Sequence, residues 1–252
     1  MTSKVPLSVF QFQVELGNID ANLRKVGEIK PLLPKGGLLL LPEMFCCGFD
    51  YPNMDFLAKR SPQVVEFLKD LSGETQGVVV GTLPLEENGK IYNTAVVFDR
   101  GKLVAKRGKI ELFPLYKEPL HFSPAPKEEN RVIETSVGRI GIVICFEVRF
   151  NEYTNRLRRE GVEIILVPAM WGIERREHFK VLTRARAVET QSFLIAANSW
   201  GKTGKATFGG SSGIYSPWGE ILGYIEDGEG LITTFVDLSE VERVRKKLPV
   251  RF

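Results

Sequence analysis

Arg139-Ile140-Gly141-Ile142-Val143-Ile144-Cys145-Phe146-Glu147-Val148-Arg149-Phe150 reads as a buried strand that ends on a thiol. The run from Ile140 to Ile144 is almost continuously apolar, the pattern of a strand covered on both faces. A short basic helix is predicted over residues 151–160. A nucleophile on a sharp strand-to-helix turn points out of the sheet. Helix N-terminal amides there lower a thiol pKa and hold an oxyanion. Cys145 is therefore the first candidate for chemistry.

The pattern extends in both directions. Residues 131–135 and 139–145 read as strands paired around Val137-Gly138. Downstream come a strand at 164–167, a long helix at 175–190 and a strand at 193–197. That helix carries Phe179, Leu182, Ala185 and Val188 on one stripe, enough to cover a sheet. The N-terminal half repeats the order. A strand at 5–13 alternates in period two, and Asn18 or Asp20 caps a helix carrying Leu23, Val26 and Ile29. A buried strand follows at 37–41. Ser61 reads as the cap of a helix with Pro62 at its first position and Val64, Val65, Leu68 and Leu71 as its stripe. Strands follow at 77–83, 91–98 and 103–107, and late strands at 213–216, 220–224 and 231–236 precede a helix at 240–247.

Successive β-α-β units place helices outside a sheet. Two such halves bury their open sheet faces against each other. The expected architecture is α/β, a four-layer α-β-β-α sandwich. Nothing resembling a linker divides the halves, so residues 1–252 are expected to form one domain with a short C-terminal arm.

Composition narrows the function. The chain has 34 basic and 31 acidic residues, a net charge of +3 that argues for neither nucleic acid nor an anionic membrane. The strongest apolar run, Leu38-Leu39-Leu40-Leu41, is strand-sized, so neither a membrane helix nor a secretory leader is expected. Three cysteines, two of them adjacent at Cys46 and Cys47, make no disulfide framework and point to a reducing cytoplasm. Only His121 and His178 are available as imidazoles, and no Cys-x-x-Cys pair accompanies them. No metal site is expected, and acid–base work falls to Glu, Asp or Lys. His121 is read as loop packing and His178 as solvated or at a subunit contact.

Two further positions stand out. Glu43 follows the four-leucine strand in Leu41-Pro42-Glu43-Met44-Phe45, where desolvation raises a carboxyl toward general acid–base range. Lys109 closes the basic run Lys106-Arg107-Gly108-Lys109 just before the chain turns inward at Ile110-Glu111-Leu112-Phe113. Gly209-Gly210-Ser211-Ser212-Gly213 matches Gly-x-Ser-x-Gly, but a nucleophile elbow needs a helix after the turn, and Ile214-Tyr215-Ser216-Pro217-Trp218-Gly219 reads as strand and turn.

The fragments around Glu43, Lys109 and Cys145, in that order, resemble the nitrilase superfamily of carbon–nitrogen hydrolases, whose triad is Glu, Lys and Cys. Thr183-Arg184-Ala185-Arg186-Ala187-Val188-Glu189 resembles its Arg-Ala-Arg-Ala helix, and Gly209-Gly210-Ser211-Ser212 with Pro217-Trp218-Gly219 resembles its Gly-Ser and Pro-x-Gly hairpin. The resemblance covers most of the chain and implies the same sandwich. It departs at Asn151, where many members have Pro, at Gly108 before the lysine and at Glu111, often His. It implies Glu118 as a second glutamate, positioning lysine or substrate.

The implied reaction needs no cofactor. Cys145 attacks an amide carbonyl, Lys109 and the Phe146 N–H stabilise the oxyanion, and Glu43 moves the protons. Leu41-Pro42-Glu43-Met44-Phe45 and Ala169-Met170-Trp171 look most like the omega-amidase-like group. That implies a small ω-amide of a dicarboxylate, with Arg149, Met170 and Trp171 as substrate-binding residues. Nitrilase, N-carbamoyl hydrolase and deaminated-glutathione amidase activities stay open, as does a catalytically silent interaction protein. The resemblance also suggests a homodimer. The apolar arm Leu248-Pro249-Val250-Arg251-Phe252 is expected to dock on the partner chain.

Overall fold

The computed structural model describes residues 4–251. The first half holds β1 (Val5–Gln11), α1 (Ile19–Glu28), β2 (Leu38–Leu40), α2 (Met54–Lys59), α3 (Ser61–Thr75), β3 (Val78–Glu87), β4 (Lys90–Asp99) and β5 (Lys102–Gly108). The second holds β6 (Ile133–Thr135), β7 (Gly138–Ile142), α4 (Asn151–Arg159), β8 (Ile164–Ala169), α5 (Arg176–Thr190) and β9 (Phe193–Asn198). It continues through β10 (Trp200–Thr203), β11 (Ala206–Gly209), β12 (Ser212–Tyr215), β13 (Ile221–Ile225), β14 (Gly230–Val236) and α6 (Ser239–Lys247).

Two six-stranded sheets form, in the orders β14-β1-β2-β3-β4-β5 and β13-β12-β9-β8-β7-β6. Period-two alternation makes the four layers. Leu38 and Leu40 belong to the core between the sheets with Leu7, Val9, Ile140 and Ile164. Leu39 and Leu41 face the other way, onto Leu23 and Val26 of α1 and Val64 and Leu68 of α3. A four-leucine run therefore feeds two cores at once. The expected α-β-β-α sandwich is present.

Several details differ from expectation. The last strand leaves its own half: β14 pairs antiparallel with β1, Val5 opposite Val236 and Gln11 opposite Gly230. The halves are thus stitched together by sheet hydrogen bonds. Ser61 is not a cap; it lies inside α3 and donates its hydroxyl to the Pro84 carbonyl. The stripe on α5 is rotated. Its buried residues are Phe179, Thr183, Ala187 and Thr190, with Thr183 Oγ1 donating to the Phe179 carbonyl at 2.8 Å, while Val188 is 50% exposed. Threonine satisfies its hydroxyl on the helix backbone and so takes a core position that polarity argued against. The β10–β11 hairpin, Trp200 opposite Gly209, and the short α2 were not anticipated. The strand before the thiol stops at Ile142, three residues short of Cys145.

Close approach explains Gly141. A Cβ there would lie 2.6 Å from a Leu157 methyl, so glycine lets α4 sit directly on β7. Among the described residues no helix is long and apolar enough to cross a membrane.

Candidate active site

Glu43 follows β2, Lys109 follows β5, and Cys145 follows β7. The first two strands belong to one sheet and the third to the other. All three loops reach the same end of the sandwich. Met44 and Cys145 both sit at φ 47°, a left-handed conformation that costs a non-glycine residue free energy. Cys145 opens a tight helical turn, Cys145–Arg149, that leads into α4.

Lys109 Nζ lies 2.8 Å from Glu43 Oε1 and 2.8 and 3.0 Å from the two oxygens of Glu118. The three side chains are each about 1% exposed. Asn93 donates to Glu43 Oε1 at 2.8 Å and to Glu118 Oε1 at 3.2 Å. The Met170 N–H donates to Glu43 Oε2 at 3.1 Å, and the Phe113 N–H to Glu118 Oε2 at 2.6 Å. Glu43 and Lys109 both act on the Cys145 thiol, Glu43 raising its pKa and Lys109 lowering it. Glu43, Lys109, Glu118 and Cys145 are therefore one connected group.

Electrostatics fix the protonation. Burial raises the Glu43 carboxyl above its ordinary value, against the pull of Lys109. Burial also favours neutral lysine, but Glu118 and Glu43 together outweigh it and hold the Lys109 ammonium well above the usual range. Burial first, then Glu43, pushes the Cys145 thiol well above its ordinary value; Lys109 opposes them. This corrects the expectation that helix amides lower the thiol pKa. The resting thiol is therefore neutral.

The thiol opens onto a small cleft walled by Phe113, Tyr116, Phe146, Trp171 and two guanidinium groups, Arg149 and Arg175. Arg149 lies 4.8 Å from the centre of the Trp171 ring and bonds His178 Nδ1 at 3.2 Å. Burial and the nearby positive charge of Arg175 both disfavour the charged form of Arg149. Arg175 bonds the Tyr116 hydroxyl at 3.0 Å and sits 3.9 Å from Glu174. Met170 and Trp171 line the same cleft. Met170 also uses its backbone to hold Glu43, and Trp171 Nε1 donates to the Arg175 carbonyl at 2.8 Å.

The other singled-out residues lie elsewhere. Cys46 and Cys47 are buried behind the Glu43 loop, their sulfurs 3.7 Å apart. His121 stacks on Tyr51 at 4.2 Å, and His178 is the Arg149 partner already named. Ser211 and Ser212 are buried at the start of β12, with no helix after them. Of the basic run, Lys106 is exposed and paired with Glu87, while Arg107 is buried against Glu147. Sequence reasoning missed Asn93, Arg107, Glu147 and Arg175. No local pattern singled out Asn93, because β4 also carries Lys90, Tyr92, Thr94 and Asp99.

The family model for carbon–nitrogen hydrolases matches residues 21–246. A 2-oxoglutaramate amidase of Bacillus subtilis is 30% identical, aligned over 98% of this chain and 96% of its own length. An omega-amidase of Xenopus tropicalis is 29% identical over 99% of this chain and 94% of its own. The crystal structure of Saccharomyces cerevisiae Nit3, described as a member of branch 10 of the nitrilase superfamily, superposes with a TM-score of 0.89 at 25% identity. It covers 99% of this chain and 96% of Nit3.

The ion cluster makes a stability prediction. Lys109→Met removes the cation that, among the described residues, alone pairs with Glu43 and Glu118, and is expected to destabilise the fold by about 3–5 kcal/mol in urea at neutral pH. The loss should shrink in acid, because Glu43 with its raised pKa then takes up a proton. A pH-independent loss, or none, would contradict this reading of the cluster.

Proposed function

Because the chain belongs to the carbon–nitrogen hydrolase family, we propose that it hydrolyses a small ω-amide of a dicarboxylate to the acid and ammonia, through a thioester on Cys145. The observation that carries this reading is a neutral thiol influenced by Glu43 and Lys109, which bond each other, and opening onto a cleft edged by two guanidiniums. The printed names of the Bacillus and Xenopus relatives support the substrate class.

In this scheme Glu43 removes the Cys145 proton as sulfur attacks the amide carbon. The developing oxyanion is held by the Lys109 ammonium and the Phe146 N–H. Losing one such donor costs about 2.7–4 kcal/mol of transition-state stabilisation. Glu43 returns the proton to the leaving nitrogen, and ammonia departs. Glu43 then deprotonates water, which attacks the thioester and releases the acid and the free thiol. Glu118 keeps Lys109 charged and aimed. The chemistry uses side chains and backbone amides alone. Arg149 receives the distal carboxylate, with Met170 and Trp171 shaping the wall beside it, in a reducing cytoplasm that keeps the thiol free.

Ammonia release across ω-amides of dicarboxylates, neutral aliphatic amides, nitriles and carbamoyl amino acids tests the assignment. The ω-amides should turn over fastest. Cys145→Ala should abolish turnover with folding intact, and Lys109→Arg should fail almost as badly as Lys109→Ala, since a planar guanidinium does not replace a compact ammonium. Turnover by the Cys145→Ala variant, or an acyl adduct on Cys46, would sink it. The pH profile is a separate check. Glu43 must be ionised to act as base, and burial raises its pKa above 4.5. The acid limb of kcat/KM is therefore expected above that value, and a limb at or below it counts against Glu43 as the base.

The chain is further proposed to pair as a homodimer through its C-terminal arm. Leu248 and Val250 are 53% and 44% exposed and share a groove with Val188 and Trp218. Gln191 of the same chain holds the Leu248 carbonyl at 2.6 Å; Phe252 lies outside the described residues. Deleting residues 249–252 is expected to weaken the dimer in light scattering. A wild-type monomer, or an unchanged dimer after deletion, overturns the pairing.

A further inference from the structure

The scheme above does not use Glu147, yet this carboxylate touches both reactive loops. Glu147 Oε1 accepts the Ile110 N–H at 2.6 Å and the Glu111 N–H at 3.4 Å, the two residues after Lys109. Glu147 Oε2 accepts the Ile144 N–H at 2.6 Å, the residue just before Cys145. Arg107, two residues before Lys109, places its guanidinium 2.6–2.7 Å from the same carboxylate. Glu147 is fully buried, and Arg107 is nearly so. We propose that Glu147 is a positioning residue, setting the Lys109 ammonium against the Cys145 thiol by clasping the backbone beside each.

The geometry gives the side chain two tasks that separate in principle. One is to neutralise a buried arginine. The other is to accept backbone N–H groups from two loops that arise from different sheets. The first task needs only charge. The second needs an acceptor on both oxygens, because donors approach both. A glutamine of equal size presents an NH₂ to at least one backbone N–H and so loses one end of the clasp. A shift of about 1 Å between reacting groups can cost on the order of 100-fold in rate while leaving binding nearly intact.

The inference rests on Cys145 as the nucleophile, so its test uses a readout that needs no substrate. Alkylation of Cys145 by iodoacetamide, followed against pH, is measured beside kcat, KM and the urea midpoint. The variants are Glu147→Gln, Glu147→Asp, and Glu147→Gln combined with Arg107→Met. Glu147→Gln is expected to lower both kcat and the alkylation rate on the order of 100-fold, with KM changed less than about threefold. The double variant removes the stranded charge. It should recover the urea midpoint of Glu147→Gln without recovering kcat. Glu147→Asp keeps the charge but is one methylene short; it should fold and still lose kcat, and it carries the test if the neutral variants do not fold. Recovery of kcat together with the midpoint in the double variant reduces Glu147 to a counterion for Arg107 and overturns the proposal. So does wild-type kcat in Glu147→Asp. Wild-type alkylation at Cys46 or Cys47 in place of Cys145 overturns the functional reading instead.

Discussion

Everything at the reactive end of the molecule depends on a lysine that is buried and still charged. Lys109 sits with Glu43 and Glu118 where water is excluded. Removing three ions from water costs several kcal/mol each, and only short contacts and further hydrogen bonds offset it. The structure supplies them: bonds of 2.8 to 3.0 Å between the ions, Asn93 bridging the carboxylates, and backbone amides from Met170 and Phe113 on the outer oxygens. Formal charges within this trio sum to minus one. Burial first, and then the Glu43 charge, keeps the neighbouring thiol protonated. The resting site thus holds a carboxylate and an ammonium beside a neutral thiol.

Such a cluster is only as good as the backbone that presents it, and the sandwich explains the presentation. Parallel β1-β2-β3 and β7-β8-β9 pairings aim the ends of β2 and β7 the same way, and the two sheets face each other through an apolar core. Glu43 and Cys145 therefore emerge together from opposite sheets. β5 runs antiparallel to β4, which is itself antiparallel to β3, so its end at Gly108 brings Lys109 to that same rim. The Lys109 N–H bonds the Asn93 carbonyl at 2.7 Å, which fixes the lysine backbone to the strand carrying the bridging amide. The pairing of β14 with β1 joins the chain's end to its beginning across the sandwich.

The floor and the mouth of the cleft follow different rules. On the floor, every charge has a partner within about 3 Å. At the mouth, Arg149 and Arg175 contact aromatic faces, a histidine and a tyrosine hydroxyl, and burial, with the nearby Arg175 charge, disfavours the charged form of Arg149. Two cations held in one small cleft favour an anionic guest over a neutral one. Selectivity would then reside in charge at the mouth, and the chemistry in the floor.

The sequence by itself determined the layers. Alternation in the Leu38–Leu41 run and continuous apolarity before Cys145 specify strands with two covered faces, and the helices between them complete the sandwich. It also named Glu43, Lys109, Glu118 and Cys145, because their flanking residues resemble one family's motifs in order. Period and neighbourhood are local properties, and a chain carries them whether folded or not. What only the tertiary structure decided are relations between distant residues. β14 joins the other half's sheet because its partner strand lies more than two hundred positions away. Thr183 is fully buried on α5, beside a partly buried Leu182, because its hydroxyl finds a carbonyl one turn back. Asn93, Glu147 and Arg175 carry no local mark of their roles. Each matters through what it touches across the fold, and the thiol pKa moved opposite to expectation because burial, and after it the Glu43 carboxylate, disfavours the thiolate.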